Sequence, residues 1–266
     1  MRTIALLTDF GVKDNFVGAM KGVILNINPK VNLVDITHEV SPQNVWEAGF
    51  LLYKSFNFFP KNTIFLVVVD PGVGSKRKAL AIKTKNYYFV GPDNGVLSLA
   101  VKEDGLRKAV SLENKRYFLK EVSFTFWGRD VFSPVSAYLS KGISIDKFGR
   151  VCERIKELKI PSPQIKGSIL SGEVIYIDRF GNLITNISLK DFKDFTKNKE
   201  FIFKIKSKNI DKFYPYYQKA KIDELFLCGG SFGYLEVSLK NKSAKSLLKA
   251  KAKDKVKLLL KKYARS

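Results

Sequence analysis

Histidine and cysteine are scarce in this 266-residue chain, and each shortage removes a class of chemistry. His38 is the only histidine. A Ser–His–Asp relay around any other base is therefore excluded. A metal centre would rest on one imidazole plus carboxylates, an unsupported donor set, and no metal is expected. The two cysteines, Cys152 and Cys228, stand far apart and in no ligand cluster. They read as buried thiols of a cytoplasmic protein rather than as a disulfide. No apolar run approaches the length of about 20 residues that a membrane span needs. The opening Met1-Arg2-Thr3-Ile4-Ala5-Leu6-Leu7 breaks off at Thr8-Asp9, too early for a signal peptide, and reads as a buried first strand.

Acids are outnumbered 25 to 47 by lysine and arginine, giving a formal charge of +22. An excess of that size suits an anionic partner such as nucleic acid, bound through counterion release. It suits equally a surface enriched in lysine throughout, as in hyperthermophile proteins. The excess is mostly lysine and runs along the whole chain, while arginine, the residue that forks onto phosphates and bases, is sparse. That distribution weighs against a nucleic-acid partner, and charge alone does not decide the function.

What is present is a hydrophobic content of 45%, enough for one large core or two moderate ones. In the first half, strand-like and helix-like segments alternate. Apolar strands are predicted at 3–7, 31–36 and 63–69, and 80–84 pairs with 87–90 around the turn-like Lys85-Asn86. Helices are predicted at 14–27, with Asp14 as its cap, at 45–56, at 95–101 and at 132–139. This rhythm gives an α/β domain with a largely parallel sheet. Beyond Pro161-Ser162-Pro163 the character changes to strands at 168–178, 183–187, 201–206, 225–228, 234–239 and 255–260, with one short helix at 243–249. Many short strands and little helix point to a smaller β-barrel domain. The boundary falls at about residue 160, dividing the chain into 1–160 and 161–266. The alternation of Lys249, Lys251, Lys253, Lys255 and Lys257 fits an amphipathic strand with a solvated face.

Open α/β sheets bind ligands at the carboxyl ends of their strands, and polar residues gather there. Thr8-Asp9-Phe10-Gly11 follows the first strand, and Asp9 reads equally as a loop brace or as a ligand carboxylate. Asp93-Asn94-Gly95 is a turn and cap signature first. Arg129-Asp130 reads as an ion pair at a helix start or as part of a site. Asp70 differs, because it ends an apolar strand where a buried carboxylate needs a partner to keep its charge. Arg77, across the Gly72-Val73-Gly74 turn, is within reach. The two together either hold and polarise a water or form a structural salt bridge. The glycines do not make a P-loop, since no Gly-Lys-Ser/Thr ending follows.

Taken in order, the segments resemble one family. They are Thr8-Asp9-Phe10-Gly11 with Asp14 and Val17-Gly18-Ala19-Met20-Lys21-Gly22, then Val34-Asp35-Ile36-Thr37-His38-Glu39-Val40, then Val68-Val69-Asp70-Pro71-Gly72-Val73-Gly74. Gly91-Pro92-Asp93-Asn94-Gly95, Thr125-Phe126-Trp127-Gly128-Arg129-Asp130, Ile177-Asp178-Arg179-Phe180-Gly181-Asn182 and Gly233-Tyr234-Leu235-Glu236 complete the match. The family is that of the S-adenosylmethionine hydroxide adenosyltransferases, relatives of fluorinase and chlorinase. The resemblance implies hydrolysis of S-adenosylmethionine to adenosine and methionine, with no cofactor, in a homotrimer whose active sites lie between subunits. It implies Asp9 on the ribose hydroxyls, Asp178 on the methionine ammonium, and Asn182 and Ser231 on ribose or amino-acid groups. Glu236 and backbone near Ala244 would face the adenine, and Asp14, Trp127 and Phe180 would also lie at the substrate. Asp70 and Arg77 match two members of the family's water-activating trio, whereas Trp127 stands where the hydrolases usually carry histidine. An indole donates a hydrogen bond but takes no proton, so a pocket that binds without turnover stands as the alternative. The halogenating relatives lack an acid at the position of Asp70.

Overall fold

The computed structural model describes residues 2–261. Contacts divide the chain between Lys159 and Ile160 into two compact units. The first contains β1 (Thr3–Thr8), α1 (Phe16–Ile27), β2 (Asn32–Thr37), α2 (Val45–Ser55), β3 (Ile64–Val68), β4 (Ala79–Thr84), β5 (Tyr88–Pro92), α3 (Ser98–Asp104), β6 (Leu106–Ser111) and α4 (Ser133–Ser140). Its sheet runs β2-β1-β3-β5-β4-β6. The first four strands in that order are parallel, and β4 alone runs against its neighbours.

Strand side chains alternate between faces, and here both faces are covered. Ile4, Leu6, Ile64 and Leu66 pack with Met20 and Ile24 of α1 and Val135 and Leu139 of α4. Ala5, Leu7, Phe65 and Val67 pack on the other side with Ala48 and Leu52 of α2 and Ala100 and Val101 of α3. This double burial is why β1 and β3 read as unbroken apolar runs. The reversal of β4 has a consequence for the site. Ala79, at the start of β4, lies opposite Pro92, at the end of β5. Residues just before β4 therefore reach the same edge of the sheet as the carboxyl ends of β1 and β3.

One local expectation is corrected in this unit, and two features were not expected. Asp14 does not cap α1: Asn15 occupies the cap, makes no side-chain cap bond, and Asp14 lies exposed in the preceding bend. The strand β6 was not foreseen, because only Ala109, Val110 and Ser111 of its six residues are buried. Helix α4 is preceded by a π-helical turn, Gly128–Phe132, the irregular geometry that often marks functional sites.

The second unit contains β7 (Gln164–Lys166), β8 (Ile169–Ile177), β9 (Leu183–Ser188), α5 (Leu189–Thr196), β10 (Phe201–Ile205), β11 (Lys208–Ile210), β12 (Leu225–Gly229), β13 (Tyr234–Leu239), α6 (Ala244–Leu248) and β14 (Lys255–Leu260). Its order is β11-β10-β14-β8-β9-β13-β12, with β7 added on β8. Past β11, the amide of Tyr214 donates to the Leu227 carbonyl at 2.9 Å and the amide of Leu227 donates to the Lys212 carbonyl at 2.8 Å. Those bonds bring the chain after β11 onto β12 and nearly close the sheet into a barrel around Leu170, Val174, Phe203, Leu227, Val237 and Leu258. Helix α5 is additional to the single helix expected. The lysine alternation holds only from Lys255: Lys249 and Lys253 sit in left-handed turns, at φ 47° and 73°, and Val256 and Leu258 alone face the core. Both cysteines are buried free thiols. Among the described residues no helix is long and apolar enough to cross a membrane.

Candidate active site

At the carboxyl edge of the first sheet a cleft of about 350 Å³ opens between the segments that follow β1 and β3. Asp9, Phe10, Asp70, Val73, Phe126 and Trp127 are among its lining residues. Arg77 reaches Asp70 from the start of β4. Its Nε donates to Asp70 Oδ1 at 2.8 Å and its Nη2 to Asp70 Oδ2, a two-pronged pair whose side chains are 6% and 5% exposed. A fork of this kind fixes the carboxylate plane as well as its charge. The Lys78 carbonyl takes a further hydrogen bond from Arg77 Nη1 at 3.1 Å. On its faces the guanidinium meets the Trp127 ring, 4.6 Å from the centroid, and the Phe132 ring at 5.4 Å. Trp127 thus packs on the cation instead of sharing a proton with it.

The turn that joins Asp70 to Arg77 depends on Gly74, whose φ is +76° and where a Cβ would lie 2.6 Å from the Phe124 carbonyl oxygen. Only glycine lets the two rims of the cleft approach so closely. Asp9 is held from the opposite side, its Oδ2 accepting from the Gln43 amide at 2.7 Å. Asp9 therefore braces a loop and lines the cleft. The other candidates have partners within the fold. Asp93 Oδ1 accepts from the Lys156 amide, Asn94 donates to the Val69 carbonyl, and Asp130 is fully buried, accepting from Arg129 Nε at 2.6 Å and the Ser123 amide at 2.8 Å. Asp14 does not line the cleft.

The barrel unit carries a second cavity, of about 850 Å³, lined by Asp178, Phe180, Asn182, Ser231 and Glu236 among others. Asp178 is oriented by its neighbour: Oδ1 accepts from the Asn182 amide at 2.8 Å and Oδ2 from Asn182 Nδ2 at 2.9 Å. Gly181, between them at φ +83°, has no room for a Cβ, which would meet Ser243 Oγ at 2.0 Å. Phe180 projects 77% exposed, an aromatic face open to a partner. Glu236 is buried, and its Oε1 accepts from Tyr217 and Ser238 hydroxyls, each at 2.7 Å, with Cys228 Sγ at 3.7 Å. Burial and the Glu236 carboxylate push the Cys228 thiol up to about 12, and the same two causes raise Tyr217. The Ala244 methyl packs in the barrel core, while Ser243, which caps α6, reaches the cavity. Lys240 also lines the cavity, as do Tyr217 and Gln218, which were missed because nothing in their local sequence marks a site.

A mixed, mostly parallel sheet ending at a buried acid–guanidinium pair, followed by a small antiparallel barrel with its own acid-lined cavity, is the architecture of a two-domain small-molecule enzyme. Residues 4–149 match the SAM hydroxide adenosyltransferase N-terminal domain and residues 172–257 match the corresponding C-terminal domain, so the chain belongs to that family. It is 36% identical to the (R)-S-adenosyl-L-methionine hydrolase of Methanocaldococcus jannaschii, over 96% of this chain and 95% of that one. A fluorinase from an Actinoplanes species is more distant, at 29% identity over 71% of this chain and 73% of its own length. Among solved structures, an uncharacterized conserved protein from Thermotoga maritima superposes with a TM-score of 0.90 at 37% identity, covering 96% and 99% of the two chains.

Proposed function

We propose that this protein hydrolyses S-adenosyl-L-methionine to adenosine and L-methionine. The observation that carries the reading is the buried Asp70–Arg77 pair opening on the same cleft as Asp9, in a chain of this family. Water attacks C5′ of the ribose, the C5′–S bond breaks, and both its electrons leave with the methionine sulfur. The proton that the water sheds passes to Asp70 or to solvent. A sulfonium is already a good leaving group, so aiming the nucleophile matters more than making it basic. Asp70, tied to Arg77, accepts a hydrogen bond from the water and Arg77 fixes that acceptor. Asp9 takes both ribose hydroxyls, and Asp178 takes the ammonium, with Asn182 and Ser231 beside it. Glu236, backbone near Ala244 and the Phe180 ring serve the adenine end. The assembly is a cytoplasmic homotrimer with its sites between subunits, acting on a small molecule and needing no cofactor.

The second reading, a pocket that binds without turnover, rests on Trp127, which cannot serve as a proton acceptor. Chromatography of S-adenosylmethionine incubated with the protein, with and without chloride, separates the two. Hydrolysis gives adenosine and methionine in equal amounts, lost in Asp70→Ala, and no 5′-chloro-5′-deoxyadenosine. Adenosine binding by calorimetry without any product overturns the hydrolase in favour of the binder.

A further inference from the structure

The single histidine has no part in the chemistry above, yet it is buried next to it. His38, 5% exposed, follows β2, and its Nδ1 lies 2.8 Å from Oγ1 of Thr8, the fully buried last residue of β1. Thr8 Oγ1 also accepts from the Phe10 amide at 3.3 Å, and the hydroxyl and His38 Nδ1 share a hydrogen bond whose direction follows the ring tautomer. Nε2 lies 3.0 Å from Asp35 Oδ1, near in distance but off the line of a hydrogen bond. Asp35 is paired in turn with Lys21 at 2.6 Å. Burial acts to raise the Asp35 carboxyl, but its hydrogen bond and ion pair with Lys21, with the His38 ring alongside, outweigh it and hold it below the usual carboxylate range.

Hydroxyl, imidazole and carboxylate in a row look like a nucleophile relay. Thr8 is 0% exposed and cannot meet a substrate, so the row serves geometry instead. One loop grips the 8–11 turn at three points. The His38 ring holds Thr8, the His38 carbonyl accepts from the Gly11 amide at 2.8 Å, and the Gln43 amide donates to Asp9 Oδ2 at 2.7 Å. Asp9 lies between the two His38 anchors.

We propose that His38 is a positioning residue, which presents the Asp9 carboxylate to the ribose diol of the substrate through Thr8 and Gly11. The inference rests on the functional reading above, in which Asp9 binds ribose. It requires that His38 affect binding and leave the Asp70–Arg77 step alone. The test uses the full chain, with adenosine affinity by calorimetry and KM and kcat for S-adenosylmethionine. His38→Ala is expected to raise the adenosine Kd and the KM by about 10- to 100-fold, with kcat nearly unchanged. His38→Asn, whose side-chain amide can take the place of Nδ1 as acceptor or donor, should recover most of the loss. Thr8→Val, which keeps the shape and removes the hydroxyl, should reproduce it. Wild-type affinity in a folded His38→Ala or Thr8→Val protein overturns the positioning role. So does an equal fall in kcat, or an Asn variant no better than Ala. A wild-type chain that binds no adenosine overturns the underlying functional reading instead.

Discussion

Asp9 is an acceptor committed at one oxygen to the Gln43 amide and facing the cleft, so its charge can serve a ligand without first breaking the loop. Asp9→Asn is expected to weaken adenosine binding by about 1.5–3 kcal/mol, the magnitude of a charge-assisted hydrogen bond, as read by calorimetry. Trp127 poses the opposite question, whether stacking on Arg77 can stand in for a group that moves protons. A positioned acid–base residue contributes about 10²–10⁴-fold, so Trp127→His should raise turnover in a variant that still folds and binds. No gain would mean that aligning the water suffices here. Cys228 supplies a pH dependence. Its folded pKa is raised, so the fold keeps the proton after the unfolded chain has lost it, and stability must fall as pH rises. The window runs from the ordinary thiol value of 9.0 to about 12. Urea unfolding across that range should show a shallower decline in Cys228→Ala than in the wild type.

Elements differ in how openly the sequence declares them. The doubly buried β1 and β3, the β4–β5 hairpin around Lys85-Asn86, and Asp70 with Arg77 were legible because burial, turn chemistry and the need of a buried charge for a partner all act locally. Helix α5 was not, because it is only eight residues long and fully buries just Phe192 and Thr196, with Leu189 and Phe195 half-buried among charged residues. A signal did exist: Ser188 and Asp191 form a reciprocal capping box, three positions apart. Ser188→Ala should cost about 0.5–2 kcal/mol in denaturant unfolding, the range for a lost helix cap. The long-range pieces were beyond reach. Gln43 on Asp9, His38 on Thr8, and the Tyr217, Gln218 and Lys240 lining come from segments whose spacing encodes nothing about their meeting.

For the whole molecule, the homotrimer proposed above carries one expectation about assembly. If active sites lie between subunits, sedimentation should give a trimer, and turnover per chain should fall on dilution below its dissociation; a fully active monomer would refute this. The reversal of β4 reaches further, into the loops that folding has to close. It lets Arg77 meet Asp70 across seven positions, whereas Thr8 and His38 are separated by thirty. Loop-closure entropy favours the shorter path by about 1.3 kcal/mol. A full-length chain refolding from the unfolded state therefore closes its acid–guanidinium pair at a lower entropic cost than the grip on Asp9, whose contacts span the longer loop.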